Sequence, residues 1–242
     1  MNSKLLFGLG IGFVSFIVFN KKNTINNTNR TNDYFPYDYD EIITGNPDSN
    51  EKIPLIIIFH GVGSNGKNMK EFFVNFDKKA RFIFPNAPNK YNDLNNNFEW
   101  WHLRSKTENQ DQLANDMLYA IDQFEPFLIE LIHSYNPSSV IVGGHSQGGM
   151  MATTLGLLKP NLIDGNSSAS IWIPQKIQKE FTIPNYIFHG TKDLTIKFDR
   201  TNNWLNNINN ENLVYTPIDS AGHSLGNDNL KNAWIQGFYD MI

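Results

Sequence analysis

One serine of this chain stands in a sequence environment suited to nucleophilic chemistry. Ser146 lies in the segment VIVGGHSQGG (residues 140–149), where Gly144, Ser146 and Gly148 follow the spacing G-x-S-x-G. That spacing is typical of a nucleophile elbow, a sharp strand-to-helix turn that exposes a serine hydroxyl above a parallel sheet. The glycines are needed because the turn is sterically strained and neighbouring chains pass close to it. Since a β-branched strand pattern precedes the serine and good helix formers follow it, we interpret Ser146 as a nucleophile rather than part of a plain glycine turn.

A serine hydroxyl is a weak nucleophile, so it needs a general base, and histidine is the usual one. Of the six histidines, His223 lies in AGHSLG, between the last predicted strand and the last predicted helix. In hydrolases with a nucleophile elbow the triad follows the order serine, acid, histidine, which favours this position. We therefore predict His223 as the base, and we predict that His60 braces its own loop instead.

The acid that orients the base should lie between the serine and the histidine. The candidates are Asp164, Glu180, Asp193, Asp199, Glu211 and Asp219. We favour Asp193 because it lies in YIFHGTKDLTI, just past a predicted strand, where a short turn can direct its carboxylate across the edge of the sheet. Asp219 remains the alternative; it also follows a strand, although a turn-capping role suits it better.

The tetrahedral intermediate of acyl transfer requires two hydrogen-bond donors for its oxyanion. One is the backbone amide of Gln147, at the positive end of the elbow helix. The other should come from HGVGSNG (residues 60–66), where glycines let the main chain turn inward, and we choose the amide of Val62. A phosphate-binding loop is disfavoured because no G-K-S/T sequence follows.

These residues must be positioned by alternating strands and helices. Apolar patterning predicts strands at 55–60, 81–84, 140–142, 169–172, 186–189 and 213–218, and helices at 67–79, 112–134, 150–158, 198–207 and 229–241. Such alternation predicts an α/β fold with a mostly parallel central sheet and helices on both faces. Ligands of such sheets bind beyond the carboxyl ends of the strands.

Composition limits the classes of function. With 242 residues, 40% of them hydrophobic, the chain can bury one sizeable core, and we predict one catalytic domain over 34–242. The net charge of −4 and the scattered lysines argue against a nucleic-acid partner. The absence of cysteine excludes disulfides, thiolate metal sites and cysteine nucleophiles. The sequence carries no signal for an oligomeric state.

The amino-terminal segment contains an uncharged apolar run, LLFGLGIGFVSFIVF, at residues 5–19. As a helix it would reach about 22 Å, short of the roughly 30 Å hydrocarbon core, although flanking lysines can snorkel. We predict that 1–22 is a membrane anchor, which implies a single-pass membrane location. The alternative is a cleaved signal segment and a secreted protein. Residues 23–33 read as a flexible linker.

Taken together, the motifs resemble the phospholipase/carboxylesterase family of α/β hydrolases, which contains small carboxylesterases and acyl-protein thioesterases. The resemblance covers Ile53 to Tyr239. It rests on HGVGSNG, FIFPNAPN followed by WWHL, GGHSQGGMMA, IDGNSSASIWIP, FHGTKDLTI and SAGHSLG, in that order.

This resemblance implies the α/β-hydrolase fold without a large cap domain. It implies the triad Ser146, Asp193 and His223, oxyanion amides at Val62 and Gln147, and no metal or organic cofactor. The substrates it implies are carboxylic esters, acyl thioesters or lysophospholipids, that is, small acyl esters or lipid-like molecules.

Two segments depart from the family pattern or allow two interpretations. The first half of IDGNSSASIW is more polar than expected of a strand, so we expect it to be loop. Trp100, Trp101 and Leu103 form an apolar loop near the strand ends, and Trp101 either lines the acyl pocket or packs in the core.

Two functions other than that of a serine esterase are compatible with this fold but are disfavoured by the sequence. A catalytically silent binding protein of the same fold is disfavoured, because all three chemical residues are present. A peptidase of this fold would need a larger cap or propeller than this chain provides.

Overall fold

A computed structural model of the chain describes residues 37–92, 96–102 and 109–242. The strands are β1 (Tyr39–Thr44), β2 (Leu55–Phe59), β3 (Ala80–Pro85), β4 (Asn89–Lys90), β5 (Phe98–Glu99), β6 (Val140–His145), β7 (Gly165–Ala169), β8 (Asn185–Gly190) and β9 (Leu213–Ile218). The helices are α1 (Gly66–Lys70), α2 (Gln110–Tyr135), α3 (Gln147–Leu158), α4 (Phe198–Leu205) and α5 (Asp228–Tyr239).

Seven strands form one sheet in the order β1-β3-β2-β6-β7-β8-β9. β1 pairs antiparallel with β3, and all the other pairs in this sheet are parallel. A two-stranded antiparallel ribbon of β4 and β5 lies apart from it. Among the described residues no separate cap domain is found. The predicted mostly parallel α/β fold is confirmed.

The central strand β2 shows why the sheet is covered on both faces. All five of its residues are buried. Leu55, Ile57 and Phe59 pack with residues of α2 and α3, whereas Ile56 and Ile58 pack on the opposite face with residues of α1 and α5. Successive side chains of a strand point to opposite faces, so a continuous aliphatic run is stable only between two helical layers.

The strand predicted at 169–172 is wrong in position, because the polar segment just before it forms β7 instead. Its small polar side chains are buried and paired within the core. Ser167 Oγ donates to the carbonyl oxygen of Trp234 at 2.8 Å, and Asn166 Nδ2 donates to Oδ1 of Asn185 at 3.0 Å. Hydrogen bonds of this kind offset the cost of burying polar groups, and small side chains leave room for α3 and α5 to pack closely.

The helix predicted at 67–79 is also longer than the one observed. α1 ends at Lys70, and the chain continues in tighter turns in which the amide of Phe73 donates to the carbonyl of Lys70 and that of Phe76 to the carbonyl of Phe73. Both phenylalanines are buried, so the apolar spacing identified the inward side chains although the backbone is not a continuous helix.

No strand is predicted before residue 55, whereas β1 forms the edge of the sheet. Its sequence, YDEIIT, lacks a clean alternation of apolar and polar residues because two acidic residues are adjacent. In the structure both carboxylates face cations. Asp40 Oδ1 lies 2.6 Å from Lys70 Nζ, and Glu41 pairs with Arg81. Acidic residues disfavour a strand when only the sequence is considered. Here ion pairs with residues distant in sequence stabilise them, and the strand forms.

The predicted single-pass membrane location is corrected by the structure. Over residues 37–92, 96–102 and 109–242, no helix combines the length and the apolar character needed to cross a bilayer. The longest of them, α2, has only one apolar face and carries charged residues along the other. The segment 1–22 on which the prediction rested, the linker 23–33 and the domain start at 34 lie outside the described residues.

Candidate active site

Ser146 occupies the turn between β6 and α3. Its backbone angles are φ 56° and ψ −125°, a left-handed conformation that a residue other than glycine rarely adopts. A Cβ added at Gly144 would lie 2.5 Å from the backbone of Gly148, and one added at Gly148 would lie 2.2 Å from the carbonyl oxygen of Phe59. The elbow therefore forms only because both flanking positions lack a side chain.

The hydroxyl of Ser146 lies against the imidazole of His223, which is 77 residues away in sequence. Ser146 Oγ is 2.9 Å from Nε2 of His223, and Nδ1 of His223 is 2.7 Å from Oδ2 of Asp193. When the imidazole is neutral, its Nδ1–H donates to the carboxylate and its Nε2 accepts from the serine hydroxyl. The structure thus brings together the three residues predicted as a triad.

Asp193 lies after β8 and is almost fully buried. Its Oδ1 accepts hydrogen bonds from the amides of Thr195 and Ile196, at 2.8 and 3.0 Å. Burial opposes ionisation, but hydrogen bonds from His189 and His223 outweigh it and hold the pKa of Asp193 well below its ordinary value. The carboxylate is therefore ionised at neutral pH and able to orient the imidazole.

Asp219, the alternative acid, has a different environment. Its Oδ1 accepts from the hydroxyl of Thr191 at 3.3 Å, and its Oδ2 lies 3.5 Å from the hydroxyl of Ser220. Its side chain is exposed, and its contacts stabilise a turn after β9. The imidazole of His223 contacts Asp193 instead.

The two residues predicted to supply the oxyanion amides are both near the serine in the structure. Gln147 begins α3, and Val62 follows Gly61, where an added Cβ would lie 3.4 Å from Cβ of Ser146. Within the described residues, neither the amide of Val62 nor that of Gln147 donates a hydrogen bond. Backbone amides in a protein interior normally have a partner, so two free ones beside a serine are suited to an anionic oxygen.

His60 holds the loop that carries Val62, as the sequence predicts. Its Nε2 accepts from the amide of Ala87 at 3.0 Å, and its Nδ1 donates to the carbonyl of Gly61 at 2.7 Å. Burial lowers the pKa of His60 to about 4, against the opposing effect of its hydrogen bond to Gly61. The ring is therefore neutral at pH 7, in the one tautomer that satisfies both contacts.

The side chain of Gln147 ties the elbow to the tryptophan loop. Its Oε1 accepts from the amide of Trp100 at 2.7 Å, and its Nε2 donates to the carbonyl of Trp101 at 2.8 Å. Trp101 is buried with the hydrophobic core, and among the described residues its indole Nε1 has no hydrogen-bond partner. Leu103, the third apolar residue of this loop, lies outside the described residues.

Three further polar residues contact the triad and were not assigned a role from the sequence. His189 Nε2 lies 3.2 Å from Asp193 Oδ2, and both His145 and Ser170 contact the main chain of His223. The sequence gives a partial signal, because His189 ends a predicted strand and His145 closely follows one, but the partners of all three residues are distant in sequence or follow a turn. Within the described ranges, no set of three or more His, Asp or Glu side chains has an arrangement able to hold a metal ion.

Comparison with known proteins identifies the family of this chain. The family model of phospholipases and carboxylesterases matches residues 40–235. An acyl-protein thioesterase 1 of Yarrowia lipolytica is 24% identical over 205 residues, which cover 75% of this chain and 90% of that protein.

Two solved structures share the fold at low sequence identity. The esterase PE8 has a TM-score of 0.67 at 22% identity, over 83% of this chain and 99% of that one. A carboxylesterase from Mesorhizobium loti has a TM-score of 0.67 at 16% identity, over 86% of this chain and 95% of that one. With a family model that spans most of its length, this chain belongs to the phospholipase/carboxylesterase family of α/β hydrolases and is a carboxylic ester hydrolase.

Proposed function

We propose that this hydrolase cleaves its substrate through an acyl-enzyme on Ser146, with His223 as general base and Asp193 as the acid that orients it. The observation that carries the proposal is the continuous hydrogen-bonded series from Ser146 Oγ through the His223 ring to Asp193 Oδ2, at 2.9 and 2.7 Å. Such a series both removes the serine proton and holds the base in the productive tautomer.

The reaction has two halves that use the same imidazole. In the first, Ser146 Oγ attacks the substrate carbonyl carbon while His223 Nε2 takes the hydroxyl proton; the bond to the leaving group then breaks, and His223 protonates the departing alcohol or thiol. In the second, His223 takes a proton from water, which attacks the acyl carbon. The carboxylic acid departs and the serine recovers its proton.

The amides of Val62 and Gln147 stabilise the oxyanion that forms in each half. In support, both amides are unpaired in the part of the chain that the structure describes, and Gln147 lies at the positive end of α3. Donors of this kind contribute a few kcal/mol each, because they are already oriented before charge develops.

We propose a small acyl ester, an acyl thioester or a lysophospholipid as the class of substrate. The similarity to an acyl-protein thioesterase and membership of the phospholipase/carboxylesterase family support it. We also propose that Trp101 forms a wall of the acyl site, since its carbonyl is hydrogen-bonded to the residue that follows the nucleophile. A large aromatic ring is a suitable surface for an alkyl chain.

Hydrolysis of p-nitrophenyl esters by the full chain tests the proposal. We expect Ser146→Ala to lose more than about a thousandfold in kcat, because only the oxyanion donors and binding remain. A fluorophosphonate probe should label the wild type but not Ser146→Ala. Ser138→Ala, which changes an exposed serine, serves as the matched control and should keep full activity. Unchanged hydrolysis or labelling in Ser146→Ala would overturn the proposal.

A panel of esters with acyl chains of two to twelve carbons tests the role of Trp101. The variant Trp101→Phe retains an aromatic ring in the core but shortens the wall, so we expect KM to rise for long chains more than for short ones. A change that is equal for all chain lengths would show that Trp101 serves core packing alone.

A further inference from the structure

The main-chain carbonyl of His223 accepts two side-chain hydrogen bonds from two different parts of the fold. His145 Nε2 lies 2.6 Å from this oxygen, and Ser170 Oγ lies 3.1 Å from it. His145 precedes the nucleophile, and Ser170 follows β7. The loop that carries the proposed base is thus held from the elbow and from the neighbouring strand end.

We propose that His145 and Ser170 are positioning residues that clamp the His223 carbonyl and thereby keep the imidazole in register with Ser146. This inference rests on the proposed function, because it assigns a purpose to the position of His223. We refer to the pair as the His223 clamp.

His145 is chemically suited to this contact. A carbonyl oxygen can only accept, so Nε2 of His145 bears the hydrogen. Burial, together with the nearby imidazole of His223, lowers the pKa of His145 to about 4, so the ring is a neutral donor at pH 7. The centroids of the two imidazole rings are 5.0 Å apart. Since His145 is covalently joined to Ser146, its hydrogen bond relates the position of the base to that of the nucleophile.

Ser170 adopts a conformation that needs an explanation. It is fully buried, and its φ of 56° lies in the left-handed region that favours glycine. Strain of this kind persists only where the surrounding structure requires it. The hydroxyl of Ser170 donates a hydrogen bond to the main-chain carbonyl of His223. A glycine would adopt this backbone conformation with less strain but would lack the hydroxyl.

The carbonyl of His223 matters because the orientation of its peptide sets the direction of its side chain. The distance of 2.9 Å from Nε2 to the serine hydroxyl leaves little tolerance for a shift of the loop. Misplacing a catalytic group by about 1 Å can cost about a hundredfold in rate. Two donors on one oxygen restrict rotation of that peptide more than either does alone.

The experiment compares His145→Phe, Ser170→Gly and the double variant in hydrolysis of a p-nitrophenyl ester. Phenylalanine retains a ring but not the donor, and glycine relieves the left-handed strain at residue 170 while removing the hydroxyl. We expect each single change to lower kcat about tenfold, with KM within about twofold of the wild type. The double variant should lose more than the product of the two single losses, because each remaining donor compensates for the other.

Two controls separate a positioning role from a structural one. His145→Gln, whose amide nitrogen reaches a position similar to Nε2, should recover most of the loss. Thermal unfolding should show that Ser170→Gly is folded. If the strained serine had only a structural role, this variant would show no loss of kcat. If His145→Phe does not fold, the His145→Gln and Ser170→Gly variants still provide the test, and a full loss of activity in His145→Gln would count against the clamp.

The clamp is overturned if either single variant keeps wild-type kcat, or if the losses merely multiply, which would show that the two residues act separately. The proposed function fails in a different way, through retained activity in Ser146→Ala. The rate of fluorophosphonate labelling separates the two further, because the clamp variants should label slowly whereas Ser146→Ala should not label at all.

Discussion

The Nε2 atom of His189 lies 3.2 Å from Oδ2 of Asp193 and 2.9 Å from the carbonyl oxygen of Ile196. The carbonyl can only accept, so this nitrogen bears the hydrogen and its donation is shared between the two oxygens. The other ring nitrogen, Nδ1, is buried and has no partner within the described part of the chain. An unpaired buried acceptor lowers the free energy of unfolding by about 1–3 kcal/mol. The same ring supplies a hydrogen-bond donor to the carboxylate of Asp193.

The contact between His189 and Asp193 predicts an effect on catalysis without a matching loss of stability. His189→Leu removes the donor to Asp193 but also removes the unpaired Nδ1. We therefore expect kcat to fall about tenfold while the melting temperature changes little. Steady-state kinetics and thermal unfolding measure the two effects, and His189→Gln, which retains a donor, is the matched control. A kcat equal to that of the wild type would show that this contact has no catalytic role.

The choice between the two carboxylates predicts opposite outcomes for two matched variants. Asp193→Asn removes the charge that orients His223 and favours the wrong tautomer, a change that costs about ten thousandfold in kcat in a serine protease triad. Asp219→Asn affects only a turn and should stay within about twofold of the wild type. Ester hydrolysis at neutral pH measures both. Loss of activity in Asp219→Asn with activity retained in Asp193→Asn would reverse the assignment.

The buried imidazole of His60 predicts how stability depends on pH. Its pKa is about 4 in the folded chain, against about 6.5 in the unfolded chain. Below about pH 6.5 the unfolded chain therefore binds a proton that the folded chain does not, so the free energy of unfolding falls as the pH falls towards 4. Between pH 6.5 and 5 this amounts to about 2 kcal/mol, and His145, whose pKa is also about 4, contributes in the same direction.

Urea unfolding at pH 7 and pH 5 measures this dependence. His60→Gln can replace both hydrogen bonds of the ring without titrating, so its loss of stability on acidification should be smaller by about 2 kcal/mol. His133→Gln changes an exposed histidine and serves as the control, which should behave as the wild type does. An equal pH dependence in His60→Gln and the wild type contradicts the prediction.

The packing of the elbow predicts that two glycines respond differently to the same change. A Cβ at Gly148 would lie 2.2 Å from the carbonyl oxygen of Phe59, whereas the nearest atom to a Cβ at Gly222 is the carbonyl oxygen of Lys192 at 4.0 Å. We expect Gly148→Ala to lower the free energy of unfolding by about 3 kcal/mol or more, because backbone must move. Gly222→Ala should change it by less than about 0.5 kcal/mol. Similar unfolding curves for the two variants would show that the elbow can relax.

Local patterns identified much of the site because each pattern reflects a steric or chemical requirement within a few residues. The spacing of Gly144, Ser146 and Gly148 indicated the elbow, since only residues without a side chain allow that turn. Asp193 and His223 followed from their positions just past predicted strands, because strand ends meet at one edge of a parallel sheet. The structure brings these residues together.

Sequence patterns gave wrong predictions where polar or charged side chains are buried against partners that are far away in sequence. Ser167 and Asn166 are of types common in loops, but in the structure they are buried and hydrogen-bonded to Trp234 and Asn185. The strand β7 was therefore predicted too late in the chain. The charges of β1 likewise suit a strand only because cations face them. The pattern of hydropathy along the sequence contains no information about hydrogen bonds and ion pairs between distant residues.

The sequence by itself determined the fold class, the elbow and the residue types available for acyl transfer, because backbone sterics and strand periodicity act locally. Only the tertiary structure decided which groups hold those residues in place. His145, Ser170 and His189 contact His223 or Asp193 across the edge of the sheet, and hydrogen bonds between distant segments depend on how the strands are ordered in space.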